Sequence, residues 1–146
     1  MGWADKIRKE GMRRARSNIE AAKKEVIESL KKTYSSGKIS DHEMSGYSDT
    51  HQRRREKKGL QTDRKDLHFS GTLLNSLKEV ERKENGDSIE IGINFSGAAH
   101  RRKDQRSASN LDVAGWLGEQ EGRKILKLDP EDKRRIEQTY KVSIRD

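Results

Sequence analysis

Apolar positions in the first part of the chain recur at steps of three and four. Met12, Ala15, Ile19, Ala22, Val26, Leu30 and Tyr34 form one stripe uninterrupted by proline, which predicts a single long amphipathic helix over about residues 3–35. Its remaining faces are dense in Lys, Arg and Glu, the pattern of a solvated surface with charge pairs four residues apart. Ser35-Ser36-Gly37-Lys38 ends the helix, and the polar stretch through Asp41-His42-Glu43-Met44-Ser45-Gly46 reads as a loop. Residues 47–60 then predict a short helix with Ser48 or Asp49 as N-cap and Gly59 as C-cap.

The period changes after that. Residues 66–77 begin extended and turn into one or two helical turns that carry Leu73, Leu74 and Leu77 toward the core. Asn85-Gly86 is a strong hairpin signal between residues 78–83 and 88–95. In the second of these strands Ile89, Ile91, Ile93 and Phe95 alternate with Glu90, Gly92 and Asn94, predicting one buried face and one wet face. Residues 97–110 are polar and basic and fit either a helix or a loop. Asn110 or Asp112 is expected to cap a short helix through Val113, Trp116 and Leu117 that closes before Gly118 or Gly122. Residues 124–128 read as extended. Asp129-Pro130-Glu131-Asp132 then starts a last helix, to about Tyr140, with Ile136 and Tyr140 inward. The expected fold is α+β in a single domain, 1–146: a long N-terminal amphipathic helix, then a compact α+β part over about 47–146. That part holds a small antiparallel sheet built on the β-hairpin (about 78–95), short helices and a C-terminal helix.

Composition narrows the function. Hydrophobic residues make up 29% of the chain and charged ones 40%, so its core is thin and burial against other subunits is expected to contribute. The 33 Lys and Arg against 25 Asp and Glu give a net charge of +8, which attracts nucleic acid or acidic protein surfaces alike. The absence of cysteine removes disulfides, thiolate metal sites and cysteine nucleophiles, and fits assembly in a reducing cytoplasm. No apolar run approaches the roughly 20 residues of a membrane span, and Met1-Gly2-Trp3-Ala4-Asp5-Lys6 lacks the apolar stretch of a signal peptide, so no membrane partner is expected.

Tests for chemistry come out negative at the level of sequence. His42, His51, His68 and His100 are scattered without a zinc-ligand spacing, and Asp41-His42-Glu43 lacks the further ligands a nuclease centre needs. Gly92-Ile93-Asn94-Phe95-Ser96-Gly97 ends a strand without a phosphate-binding loop after it. No catalytic residue, metal or cofactor is expected, and the chain does not read as an enzyme. Two basic runs stand out as interface or DNA-facing candidates: Arg53, Arg54, Arg55, Lys57 and Lys58, and then Arg101, Arg102 and Lys103. Aromatic residues do not interleave with them as stacking platforms would, which favours pairing with protein or plain solvation. Trp116 is either a core anchor or an interface anchor.

Four segments in order resemble the tail-completion (neck) proteins of tailed bacteriophages, also described as phage virion morphogenesis proteins. Tyr47 through Leu60, ending Arg53-Arg54-Arg55-Glu56-Lys57-Lys58-Gly59-Leu60, is similar to that family's tyrosine, basic helix and Gly-Leu entry. Asp66-Leu67-His68-Phe69-Ser70-Gly71-Thr72-Leu73-Leu74-Asn75-Ser76-Leu77 resembles its Asp-Leu-x-x-x-Gly-x-Leu-x-x-Ser-Leu signature. Ser88-Ile89-Glu90-Ile91-Gly92-Ile93 matches its glycine-containing hairpin strand, and Ala98, Ala99 and His100 lie where it has a variable alanine-containing segment. Gly122 through Asp132 stands for its Gly-Arg-x-Phe-Leu-x-Leu-Ser-x-Glu-Asp segment, with Ile125 in place of the aromatic residue. The resemblance covers roughly residues 47–140. It implies a non-enzymatic virion protein at the head–tail junction, assembled in the host cytoplasm and present as a homo-oligomeric ring. Such a ring joins a head-completion or connector protein to the tail tube or tail terminator protein, with possible contact to the genomic DNA it surrounds. The alternative from charge alone is a basic cytosolic nucleic-acid-binding module.

Overall fold

The computed structural model describes residues 2–40, 42–62, 72–85, 88–97, 109–121 and 126–145. Helix α1 runs unbroken from Trp3 to Ser35. Its apolar stripe is most deeply buried in the C-terminal half, where Ala22, Leu30 and Tyr34 are buried and Val26 and Ile27 pack at the edge of the core. Met12, Ala15 and Ile19, on the same stripe, are half-buried. The stretch expected as a loop contains a minimal antiparallel pair, β1 (Lys38–Ile39) with β2 (His42–Glu43), closed by the Met44 N–H donating 2.8 Å to the Gly37 carbonyl. Ile39 and Met44 are drawn into the core by this turn, which is what fixes a polar stretch that carries no strand period of its own.

Helix α2 spans Asp49–Lys57 and starts at Ser48, whose hydroxyl accepts from the His51 N–H. It ends in a Schellman arrangement: the Leu60 N–H donates to the Arg55 carbonyl, the Gly59 N–H to the Glu56 carbonyl, and Gly59 takes φ +70°, where an L side chain would be strained. A single turn, α3 (Thr72–Asn75), leads into β3 (Leu77–Glu84), which pairs antiparallel with β4 (Ile89–Phe95). Leu73, Leu74 and Leu77 are all buried, as their spacing indicates. Asn85 clasps the hairpin end by donating its N–H to the Ser88 carbonyl and accepting the Ser88 N–H on its side-chain oxygen. The register slips between Glu79 and Glu81, so Val80 bulges out and is 51% exposed. The β4 face is more open than its alternation suggests: Phe95 is buried, while Ile89, Ile91 and Ile93 are half-buried because the hairpin reaches away from the core along α1.

Helix α4 (Asn110–Glu121) is capped by neither Asn110 nor Asp112. Ser109 is the cap: its hydroxyl accepts from the Asp112 N–H at 3.0 Å and the Asp112 carboxylate accepts the Ser109 N–H at 3.3 Å, a reciprocal capping box. Asn110 is buried and donates its side-chain N–H 2.6 Å to the Ser96 carbonyl, tying the helix to the end of β4. The extended piece expected at 124–128 joins neither sheet in its described part: Leu128 turns into the core and its carbonyl accepts from the Ser40 hydroxyl. Asp129 then caps α5 (Pro130–Tyr140) by accepting the Glu131 N–H, with Pro130 in the first turn and Ile136 fully buried. Tyr140 is half-buried, its hydroxyl 3.5 Å from Glu25. Helix α5 lies on α1, where the Ser29 hydroxyl donates 2.6 Å to Asp132 and Arg135 pairs with Glu25.

The fold is therefore α+β, as the periodicity indicates, with one core shared by the C-terminal half of α1, α3, the base of the hairpin, α4 and Leu128. Tyr34 sits at its centre, stacked 6.4 Å from Phe95, with its hydroxyl at the Lys127 backbone; burial pushes its phenol well above the ordinary tyrosine range.

Candidate interaction surface

The basic run on α2 divides into one inward residue and a set of outward ones. Arg55 follows His51 by four residues on α2, Tyr47 lies just ahead of the Ser48 cap, and the three side chains stack in series. The Tyr47 and His51 rings lie 4.7 Å apart, the Arg55 guanidinium sits 4.5 Å over the Tyr47 ring, and its Nε donates 2.7 Å to the Gln61 carbonyl. Only 1% of Arg55 is exposed. A guanidinium that far from water needs such partners, and Arg55 is thereby a structural residue that pins the 58–61 turn against α2. As a candidate interface residue it is corrected: it is not available to a partner. In the sequence only the His51 and Arg55 spacing of four hints at this, and the uniform charge of the run hides it.

Arg53, Arg54, Lys57 and Lys58 are exposed, and with the Arg55 side chain turned in they form the cationic outer surface of α2. The second basic run, Arg101, Arg102 and Lys103, lies outside the described residues, as do His68 and His100. Among the described residues no group of three or more His, Asp or Glu side chains converges as a metal site, and no helix is long and apolar enough to cross a membrane.

Trp116 is 44% exposed on the side of α4 opposite the buried Ala114, and Leu111 in the first turn is 52% exposed. Trp116 is therefore not a core anchor. A second exposed apolar pair, Trp3 at 75% and Ile7 at 59%, occupies the far end of α1. Trp3 and Ile7 are one turn apart but lie on the other side of the helix from the Met12–Tyr34 stripe, which is why that stripe does not include them.

Charge networks connect the two arms of the molecule. Arg82 on β3 pairs with Glu20 on α1 and with Glu79 at 2.8 Å, Glu20 pairs with Lys23 at 2.7 Å, and Arg16 reaches Glu84 at 3.4 Å. Hydrogen bonds from Lys23 and then Arg82 hold the Glu20 carboxyl below the usual carboxylate range, and Glu10 is lowered by its hydrogen bond from Arg13. These pairs are largely solvent-exposed and orient the hairpin along the helix more than they stabilise it. Comparison with family models, curated proteins and solved structures finds no match.

Proposed function

We propose that this chain is a non-enzymatic structural protein of a tailed-phage virion, a neck or tail-completion protein whose copies form a ring between the connector and the tail tube. The observation that carries the reading is the ordered set of four motif segments over residues 47–140. The described parts of these segments supply framework residues: Gly59 and Leu60 close α2, Leu73, Leu74 and Leu77 enter the core, and Leu128 and Asp129 seat and cap α5. Such framework roles suit motifs that specify a fold and not an active site. A thin core beside exposed tryptophans on two helices suits a subunit whose remaining apolar surface is covered by neighbours.

The experiment is to add the purified chain to tailless heads and separated tails and count joined particles by electron microscopy. Joining that depends on the chain, with a ring of density at the neck, is the expected result. A chain that stays monomeric and associates with neither heads nor tails overturns the reading.

The second reading, a nucleic-acid-binding module, draws on the outward Arg53, Arg54, Lys57 and Lys58 of α2. The same preparation titrated with short duplex and single-stranded DNA separates the two: a module binds tightly with a steep salt slope, whereas a neck subunit at moderate salt does not need to.

A further inference from the structure

Two exposed surfaces, one on each of two helices, differ in the sign of their charge. The first is the arm of α1. From Trp3 to Ala15 the helix carries five cationic residues, Lys6, Arg8, Lys9, Arg13 and Arg14, against Asp5 and Glu10. Helical spacing sets Trp3, Ile7, Glu10 and Arg14 on one stripe with Lys6 and Arg13 beside it, and Glu10 pairs with both Arg13 and Arg14. The second surface is the outer face of α4, where the same geometry aligns Leu111, Asp112, Gly115, Trp116 and Glu119, all exposed. This helix holds Asp112, Glu119 and Glu121 and no Lys or Arg. One surface is apolar and basic, the other apolar and acidic.

Each surface also contains a glycine that packing within the chain does not call for. Gly11 lies one turn from Ile7, and Gly115 one turn from Leu111. A glycine inside a helix lowers its stability relative to alanine, yet a Cβ added at either position meets nothing within 4 Å. A missing side chain between large apolar neighbours leaves a notch, and a notch lets a second helix approach closely.

We propose that the α1 arm of one copy lies along the outer face of α4 of the next copy. Charge selects this pairing over the two symmetric ones, since arm on arm brings like cations together and α4 on α4 brings like carboxylates together. Among the described elements α1 packs chiefly on α5, β1, β3 and β4, and α4 chiefly on α3 and β4, while Trp3, Ile7, Leu111 and Trp116 stay 44–75% exposed. The contact joins two different patches, and repeated around a closing rotation it gives a ring. It deepens the ring reading and rests on it only for closure.

The test uses the full chain and light scattering across a concentration series. Variant one reverses the arm with Arg13→Glu and Arg14→Glu; variant two reverses the face with Glu119→Lys and Asp112→Asn. Each alone is expected to lose association by about tenfold or more, and an equimolar mixture is expected to recover it, because reversed arms then meet reversed faces and native arms meet native faces. Gly115→Leu, which has open space in the isolated chain, is expected to block association while leaving the thermal midpoint unchanged or raised. A wild-type chain that remains monomeric, a mixture that does not recover, or a Gly115→Leu chain that assembles normally overturns the interface. The last two outcomes in a chain that still forms rings leave the neck reading standing; association through these surfaces by a chain that never joins heads to tails overturns the neck reading alone.

Discussion

The two halves of α1 share one unbroken helix and one charge-rich composition, yet they live in different surroundings. From Ala22 to Tyr34 the apolar stripe is buried against Phe95, Ile39 and the leucines of α3, and α5 is fastened alongside through Ser29 and Asp132. From Trp3 to Gly11 every residue but Glu10 is exposed, and Arg13 and Arg14 reach back to Glu10. Helix propagation is cheap once a nucleus exists, so the anchored half supplies the turn that the free half extends. Order in the arm thus depends on the core without contributing to it, and its exposed apolar residues are free for a different use.

The largest effect that separates the halves is expected from Tyr34→Ala. Truncating a fully buried aromatic costs about 3–5 kcal/mol, enough to unfold a thin-cored chain, and a shift in the urea midpoint measures it. A loss below about 1 kcal/mol would mean that the core is not where the helix is anchored.

An intermediate effect is expected where the hairpin meets the helix. Arg82→Ala removes the partner of Glu20 and Glu79 and should lower stability slightly at low salt and not measurably at high salt. The pH dependence has a definite sign. Because pairing holds the Glu20 carboxyl below its unfolded value, the pair contributes above the ordinary carboxylate range, near about pH 4.3, and the contribution fades as pH falls through the depressed value. Arg82→Ala should flatten that acid limb; an unchanged limb would show that the pair is not formed in solution.

The smallest effect on stability is expected from Trp3→Ala combined with Ile7→Ala, within about 0.5 kcal/mol by denaturation. Association is the property these substitutions should change. A large loss of stability instead would show that the arm packs on its own chain, and the comparison between the halves would fail.

Much of this was legible along the chain. The length of α1, the caps at Ser48 and Asp129, the leucines of α3 and the hairpin all follow from local signals that short-range chemistry enforces. What escaped depends on tertiary placement. Which half of α1 is buried is decided by where α5 and the hairpin lie, and the openness of Ile89, Ile91 and Ile93 by how far the hairpin extends beyond the core. Arg55 is buried by a backbone turn six residues on, which no count of charges reveals. The Ser109 cap is legible as Ser-x-x-Asp, but Asn110 and Asp112 beside it carry the same capping signal.

A helix clamped at one end is a lever. The arm projects by about 20 Å from Ala15 to Trp3, so a tilt of about 5° at its root carries the tip through about 2 Å while leaving every hydrogen bond of the helix in place. Subunits linked tip to body through such a strut share angular misfit among many small tilts and concentrate it at no single contact. If the proposed contact between copies holds, small differences in angle between neighbours are taken up at the root of each arm at little cost.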